Sequence, residues 1–391
     1  MRVLIAPDSF KGSASSRVVA EAIAAGLRAV DPAVATICVP IADGGEGSAE
    51  AITAILGGEL VTLTALDPLD RPVSCAYGWV ADKRLAVVEV ATASGLPLMG
   101  DRPDPALASS FGTGEQIRDA LDRGAEHLIL CLGGSATVDA GTGIMAALGA
   151  RFLDDRGRPL RPSGAMLGRI VAMDLSGLDP RLRSLRITIA SDVSSPLLGP
   201  GGAVYLFGPQ KGIPPARLAA FEAAMARFAG LVVHTCGVDR CDDAGSGAAG
   251  GIGFLLRSVL GETVDVRDGF QVIAGLAGLR ERIESADLVI TGQGHLDAHA
   301  LVGKVSVSLA RLARPVGVPV AVIAGGLHGD HAAFRDMDIA AAVPIVEGPT
   351  SLEQAMTDAP ALIERAAARL MTMLALGRSL SEISKPDTGS E

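Results

Sequence analysis

The sequence predicts an α/β protein of two domains. A doubly wound, Rossmann-like domain is assembled from both chain ends, a mixed α/β domain is inserted between them, and the active site is expected in the inter-domain cleft. Three observations lead there. Residues 2–56 alternate strand-like and helix-like runs, residues 60–91 break into closely spaced strand-like runs, and the first rhythm returns after Ala286. At 391 residues the chain is also long for a single hydrophobic core.

Each element has a local reason. Residues 2–6 form a short apolar run that reads as a buried strand. Ser15 to Val30 reads as a helix, with Val18, Val19, Ala22, Ile23 and Leu27 on one face. Val34 to Pro40 reads as a second strand and Gly45 to Leu56 as a second helix. Leu60–Leu66, Val73–Val80 and Leu85–Ala91, separated by Asp-Pro and Asp-Lys turns, read as an antiparallel meander. Helices follow around Thr113–Arg123 and Gly141–Leu148, with a strand at His127–Leu132 between them. Residues 154–164 and 174–184, rich in Pro, Gly and Asp, read as surface loops. Arg186–Ala190 reads as a strand and Pro215–Leu231 as a long amphipathic helix. The final stretch reads as strand Asp287–Thr291, helix Ala300–Ala313, strand Val318–Ala324 and helix Ser351–Leu376. The doubly wound domain is thus expected over 1–60 plus 286–378, the inserted domain over 61–285, and a disordered polar tail over 379–391. Ligands are expected at the carboxyl ends of the strands.

Composition narrows the function. Hydrophobic residues make up 49% and charged residues 20%, which suits a globular core and not disorder. The longest apolar runs, such as Val318–Leu327, fall well short of the roughly 18 residues of a membrane span. Neither a membrane partner nor a secretory leader is expected. Five cysteines without a C-x-x-C pair argue against a disulfide framework, so a cytoplasmic setting is expected. A net charge of −10 and 3% aromatics disfavour nucleic acid as a partner. A homodimer is compatible with such a chain.

The chemistry is carried by six short segments that set acids or lysines among glycines after apolar runs. They are Ala6-Pro7-Asp8-Ser9-Phe10-Lys11-Gly12, Asp43-Gly44-Gly45-Glu46-Gly47, Gly133-Gly134-Ser135-Ala136-Thr137-Val138-Asp139, Ser191-Asp192-Val193, Phe207-Gly208-Pro209-Gln210-Lys211-Gly212 and Thr291-Gly292-Gln293-Gly294-His295-Leu296-Asp297. Glycine admits a ligand to the backbone, carboxylates suit a metal, and lysines suit a phosphate. Isolated acids at such places are often helix caps or turn formers, so it is the set that argues for an anion-handling site. Gly245-Ser246-Gly247-Ala248-Ala249-Gly250 matches G-x-G-x-x-G, but polar Asp239–Asp243 precedes it where a strand would be needed. It reads as a glycine-rich helix start with amides for an anion rather than as a nicotinamide site. No P-loop, no H-E-x-x-H and no G-x-S-x-G elbow occurs.

Taken together, Ala-Pro-Asp-Ser-Phe-Lys-Gly, Ala-Asp-Gly-Gly-Glu-Gly, Gly-Gly-Ser-Ala-Thr, Phe-Gly-Pro-Gln-Lys-Gly and Gly-Ala-Ala-Gly-Gly resemble the glycerate kinase type 1 family. The ordered set runs from Ala6 to about Leu327. The resemblance implies ATP-dependent phosphorylation of D-glycerate with Mg²⁺, usually at the 2-hydroxyl, on a two-domain α/β fold. Within it, Asp192, Asp297 and Lys11 are the catalytic candidates, one of the aspartates lying near the acceptor hydroxyl. Asp8, Ser9, Asp43, Gly44, Gly45, Glu46, Gly133, Gly134, Ser135, Lys211, Gly247, Gly294 and Lys304 are candidates for binding substrate or nucleotide. Asp139 and Asp192 are candidates for the metal. The chain departs from the family at Gly292-Gln293-Gly294-His295-Leu296-Asp297, where Gly-Glu-Gly-Arg-Ile-Asp is usual, and at His299-Ala300 after it. Val138 replaces a usual Asn, and Ser194-Ser195 stands where another Asn is usual. Histidine cannot reproduce the bidentate fork of arginine. A kinase of a related small hydroxy acid and an inactive metabolite-binding relative are the alternatives.

Overall fold

The structure is a computed structural model that describes residues 1–42, 44–101, 103–297 and 305–383. Among these it has thirteen strands: β1 Arg2–Ile5, β2 Ala35–Cys38, β3 Glu59–Leu66, β4 Pro72–Val80, β5 Leu85–Glu89, β6 His127–Cys131, β7 Arg151–Leu153, β8 Ala172–Asp174, β9 Arg186–Ala190, β10 Val264–Arg267, β11 Leu288–Asp297, β12 Val320–His328 and β13 Ala341–Pro344. They fall in two compact units, Met1–Asp43 with Ala274–Glu391, and Gly44–Ile273. The divisions come earlier than the expected 60 and 285. The helix Ser48–Ile55 packs on β4, where a Cβ on Gly78 would overlap the Thr53 hydroxyl and come within 3.3 Å of the Ala49 carbonyl oxygen. That contact holds it with the middle of the chain.

In the unit made of the chain ends, five parallel strands run in the order β13-β12-β11-β1-β2. Val3, Leu4 and Ile5 of β1 are fully buried, as a central parallel strand covered on both faces must be. Val3 and Ile5 join Ile23, Leu27, Ile290, Ile323, Ile363 and Ala367 in one core. Two helices supply that face of the core, Ser16–Val30 and Ala359–Ile383. The first starts where the Ser15 hydroxyl accepts from the Val18 amide at 3.4 Å, an N-cap. Chain direction across the sheet reverses between β1 and β11, and in an open parallel sheet such a reversal opens a crevice at the carboxyl ends of the strands.

Several boundaries differ from expectation. Thr291–Asp297, expected as a loop, is the second half of β11, because the ladder with β12 continues to Asp297 opposite His328. The helix expected over Ser351–Leu376 is two helices, Leu352–Thr357 and Ala359–Ile383. Residues 379–383, expected in the tail, continue the second. The helix expected from Ala300 is described over Val305–Ala313.

The other unit has a six-stranded sheet in the order β10-β9-β6-β5-β4-β3. The antiparallel meander is present as β3-β4-β5, and β5 then joins β6, β9 and β10 in parallel. Its core includes Val88, Leu130, Ile187, Ile189, Phe228 and Phe254. The loop expected over 154–164 lies in the connection between the short antiparallel strands β7 and β8, and that over 174–184 begins at the end of β8 and includes a 3-10 turn at Pro180–Arg183. No helix among the described residues is long and apolar enough to cross a membrane.

The helix pair in the first unit depends on Gly26. A Cβ there would overlap the Glu364 carbonyl oxygen and lie 2.9 Å from the Ala367 Cβ. Gly26→Ala is expected to lower stability by about 1–3 kcal/mol, the usual cost of overpacking, read as a shift in the urea midpoint. An unchanged midpoint would refute this close approach.

Candidate active site

The unit of chain ends gathers Asp8, Ser9, Lys11 and Gly294 around one cavity of about 590 Å³. The turn after β1 is tightly specified. The Asp8 amide donates to the Gly292 carbonyl at 2.9 Å, continuing the β1–β11 ladder, and the Asp8 carboxylate accepts from the Ser9 amide at 2.7 Å. Buried Phe10 exchanges backbone hydrogen bonds with Ala14, which turns Lys11 outward to solvent. The Ser9 hydroxyl is buried without a hydrogen-bond partner among the described residues. Gly294, Gly325 and Gly326 line the side formed by β11 and β12. A Cβ on Gly325 would overlap the Gly294 carbonyl oxygen, and one on Gly326 would lie 2.8 Å from Nδ1 of His295. Phe10, Ile345, Leu352, Ala355, Met356 and Ala359 supply apolar walls.

At Gln293 the amide is used at both ends. Its Oε1 accepts from the Ser306 hydroxyl at 2.8 Å, and its Nε2 donates to the His295 carbonyl at 2.6 Å. Asp297 ends β11 beside His328 of β12.

In the other unit the carboxyl ends of β5, β6 and β9 carry Glu89, Gly133–Asp139 and Ser191–Val193. Glycine lets their loops touch main chain to main chain. A Cβ on Gly133 would stand 2.5 Å from the Gly45 Cα, and one on Gly44 would stand 3.1 Å from the Ala190 carbonyl oxygen. Gly44, at φ +91°, also needs the left-handed conformation that glycine alone adopts without strain. Asp192 is exposed at the end of β9 and lines a second cavity of about 550 Å³ with Asp243, Arg257, Asp265, Arg267 and Asp268. The guanidinium of Arg257 pairs with Asp243 at 2.9 Å and that of Arg267 with Asp265 at 2.6 Å.

Three sequence candidates have internal hydrogen-bond partners in this structure. Asp139, expected as a metal ligand, is fully buried with both oxygens engaged. Oδ2 accepts from the Ser110 amide and hydroxyl at 2.8 Å each and from the Gly143 amide at 3.2 Å, and Oδ1 accepts from the Gly141 amide at 3.0 Å. It organises the start of the helix Thr142–Ala147. Lys211, expected at a phosphate, is 3% exposed and its Nζ donates to the Ser135 hydroxyl at 2.8 Å and the Thr137 carbonyl at 2.9 Å. Ser135 is accordingly a partner of Lys211. The Gly247 amide, expected to hold an anion, is taken by the Ser195 carbonyl at 3.0 Å, and a Cβ there would overlap the Pro196 carbonyl oxygen. Glu46 is exposed in its loop, and Gly134, at φ +73°, turns the chain before Ser135. Asp43, His299 and Lys304 lie outside the described residues.

Sequence reasoning missed Glu89. It is 4% exposed, and its carboxylate accepts from the Ala49 amide at 2.6 Å and the Gly47 amide at 3.3 Å, capping the helix Ser48–Ile55 from the end of β5. An acid closing the apolar run Leu85–Val88 was the available signal. Burial pushes its carboxyl up to about 7, against the two amides that lower it. Burial likewise pushes the Lys211 ammonium down to about 7, with nearby Asp139 opposing.

Among the described residues no group of three or more His, Cys, Asp or Glu is arranged to hold a metal ion. Mg²⁺ needs no such cage, since one or two carboxylates with substrate phosphates and water usually hold it. Exposed Asp192 fits that mode, and Asp139 does not.

Acid-bearing glycine loops at the carboxyl ends of parallel strands, with no P-loop, define a class: a small-molecule kinase on an α/β scaffold. The chain belongs to the glycerate kinase family, whose profile matches residues 3–375. It is 39% identical to the glycerate kinase of Bacillus subtilis strain 168, over 97% of this chain and 99% of the relative. It is 38% identical to the glycerate 2-kinase of Escherichia coli K12, over 96% and 99%. The crystal structure of a provisional glycerate kinase 2 from Salmonella typhimurium LT2 superposes with a TM-score of 0.84 at 38% identity, covering 97% of this chain and 99% of that one.

The two shifted groups give opposite pH dependences of stability. Glu89 rises from an ordinary 4.5 to about 7, so its contribution is complete below pH 4.5 and is lost as pH rises to about 7. Lys211 falls from 10.5 to about 7, so its contribution is complete above pH 10.5 and is lost as pH falls to about 7. Urea midpoints measured from pH 4.5 to 7 are expected to fall less steeply for Glu89→Gln than for the wild type, and equal slopes would refute the assignment.

Proposed function

We propose that this protein transfers the γ-phosphoryl group of ATP to the 2-hydroxyl of D-glycerate, giving 2-phosphoglycerate and ADP. The observation that carries this reading is near-full-length identity to glycerate kinases, one of them a glycerate 2-kinase, with the ordered glycine-set motifs in place. The five-stranded unit is proposed to be the doubly wound layer of the fold.

In this reading the acceptor oxygen attacks the γ-phosphorus, the bond to the β-phosphate oxygen breaks, and ADP leaves. Phosphoryl transfer depends on positioning and on neutralising spread charge more than on covalent help from the protein. Asp192, exposed at the end of β9, orients the acceptor hydroxyl and takes its proton late in the transfer. Asp297, at the end of β11, is the second candidate for that role. Lys11, turned to solvent beside Asp8, supplies positive charge for phosphoryl oxygens. Mg²⁺, held through Asp192 and the nucleotide phosphates, would neutralise charge on the transferring group.

Incubation with D-glycerate and MgATP, followed by phosphorus NMR, is expected to show 2-phosphoglycerate and ADP. The 3-phosphate instead would overturn the regiochemistry, and no phosphoglycerate would overturn the function. Asp192→Asn is expected to lower kcat about 10²- to 10⁴-fold, the range for general acid–base groups. Near-wild-type turnover in both Asp192→Asn and Asp297→Asn would remove the proposed base.

A further inference from the structure

We infer that the cavity of the chain-end unit is the nucleoside pocket for ATP. This rests on the proposed kinase reading, because the argument sorts two substrates between two cavities by their chemistry. D-glycerate is a three-carbon acid with a polar group on every carbon, whereas the adenine of ATP presents two flat apolar faces. Of the two cavities that carry proposed site residues, the one below the β1 and β11 ends has the more apolar wall, with Phe10, Ile345, Leu352 and Met356 against Val193 and Val266 in the other. Buried Phe10 and Ile345 line its interior, and half-buried Met356 and exposed Leu352 stand at its helical wall. Leu352 is 76% exposed, a cost that an apolar ligand face would remove.

Wall chemistry and not size sorts the two substrates, since the other cavity, at about 550 Å³, has room for a nucleoside, as does this one at about 590 Å³. Lys11 and His295 border the same cavity, placing basic groups where a phosphate tail can meet them. The cavity beside Asp192 is set with acids, which suits a Mg²⁺ ion rather than the apolar faces of a base. It gathers Asp192, Asp243, Asp265 and Asp268 against Arg257 and Arg267, each already paired with an aspartate.

The surrounding wall is fixed. Gln293 is tied at both ends of its amide, to Ser306 and to the His295 carbonyl. Met356 reaches over the turn after β1, its Cε standing 3.0 Å from where a Cβ on Gly12 would lie. The helix Leu352–Thr357 therefore forms a side of the pocket, and a bulky residue on its inner face would compete with the base.

Ala355→Trp tests this. The residue is half-buried on that helix, and the variant is expected to raise KM for ATP and the calorimetric Kd for ADP about tenfold. KM for D-glycerate and kcat at saturating ATP should stay within about twofold. Leu352→Ser, at a solvent-exposed position that does not threaten folding, should weaken ADP binding about threefold. Wild-type ADP affinity in Leu352→Ser and in folded Ala355→Trp would overturn the inference. A selective rise in KM for D-glycerate would also overturn it, while leaving the kinase reading intact. Weakened ADP binding in a protein that does not phosphorylate D-glycerate would support the pocket and remove the kinase reading.

Discussion

The second unit depends on main chain touching main chain. Gly133 lies against Gly45, Gly44 against the Ala190 carbonyl, and a Cβ on Gly250 would overlap the Thr137 carbonyl oxygen. Loops this close exclude water, so their polar backbone groups must be paired internally. Gly133 donates to Gly44 at 3.4 Å and Ala140 to Gly250 at 2.9 Å, but such pairs cannot reach every group. Buried charges serve the remainder. Lys211 donates to the Thr137 carbonyl, Glu89 accepts from the amides of Gly47 and Ala49, and Asp139 collects those of Ser110, Gly141 and Gly143. Three ionisable side chains thereby hold loops in place, while Asp192 is exposed at the end of β9.

Local pattern made much of this legible. The strand Arg186–Ala190 lies where its apolar run predicts, and the helix Ser16–Val30 starts at the expected Ser15 cap. Where sequence reading failed, partners distant in sequence decided the outcome. Thr291–Asp297 looks like a glycine loop, yet β12 offers it a complete ladder. Val264–Arg267 is short and half polar, and becomes a strand because Ile187–Ala190 lies open beside it. Lys211 and Asp139 look like ligands because a charge among glycines suggests contact with an anion or a cation. Neither residue's burial is written in its neighbours. Glu89 was hidden for the opposite reason, since a single acid after four apolar residues looks like the solvent end of a strand.

The departure at Gln293 acquires a physical meaning. An amide both donates and accepts, and here it does both, toward the His295 carbonyl and from the Ser306 hydroxyl. The glutamate usual in the family, when ionised, could accept from Ser306 but could not donate to a carbonyl. The substitution therefore exchanges a charge for a hydrogen bond to the His295 carbonyl within β11, in the wall of the cavity, while the bond from Ser306 is one that either side chain can accept. His295 follows in the same strand, with a Cβ on Gly326 only 2.8 Å from its Nδ1.

The pairing of β1 with β11 sets Val3 opposite Leu288. During synthesis β1 waits for its neighbour β11 until the residues between them have been made. Gly44–Ile273, whose sheet draws only on its own residues, can close during that interval. The nascent chain thus carries an apolar strand with one edge open while a finished unit follows it. Non-local parallel pairing is slow to form, and an open edge invites wrong partners. Assembly of the first unit is consequently a later event than closure of Gly44–Ile273, because it needs segments from both sides of that unit.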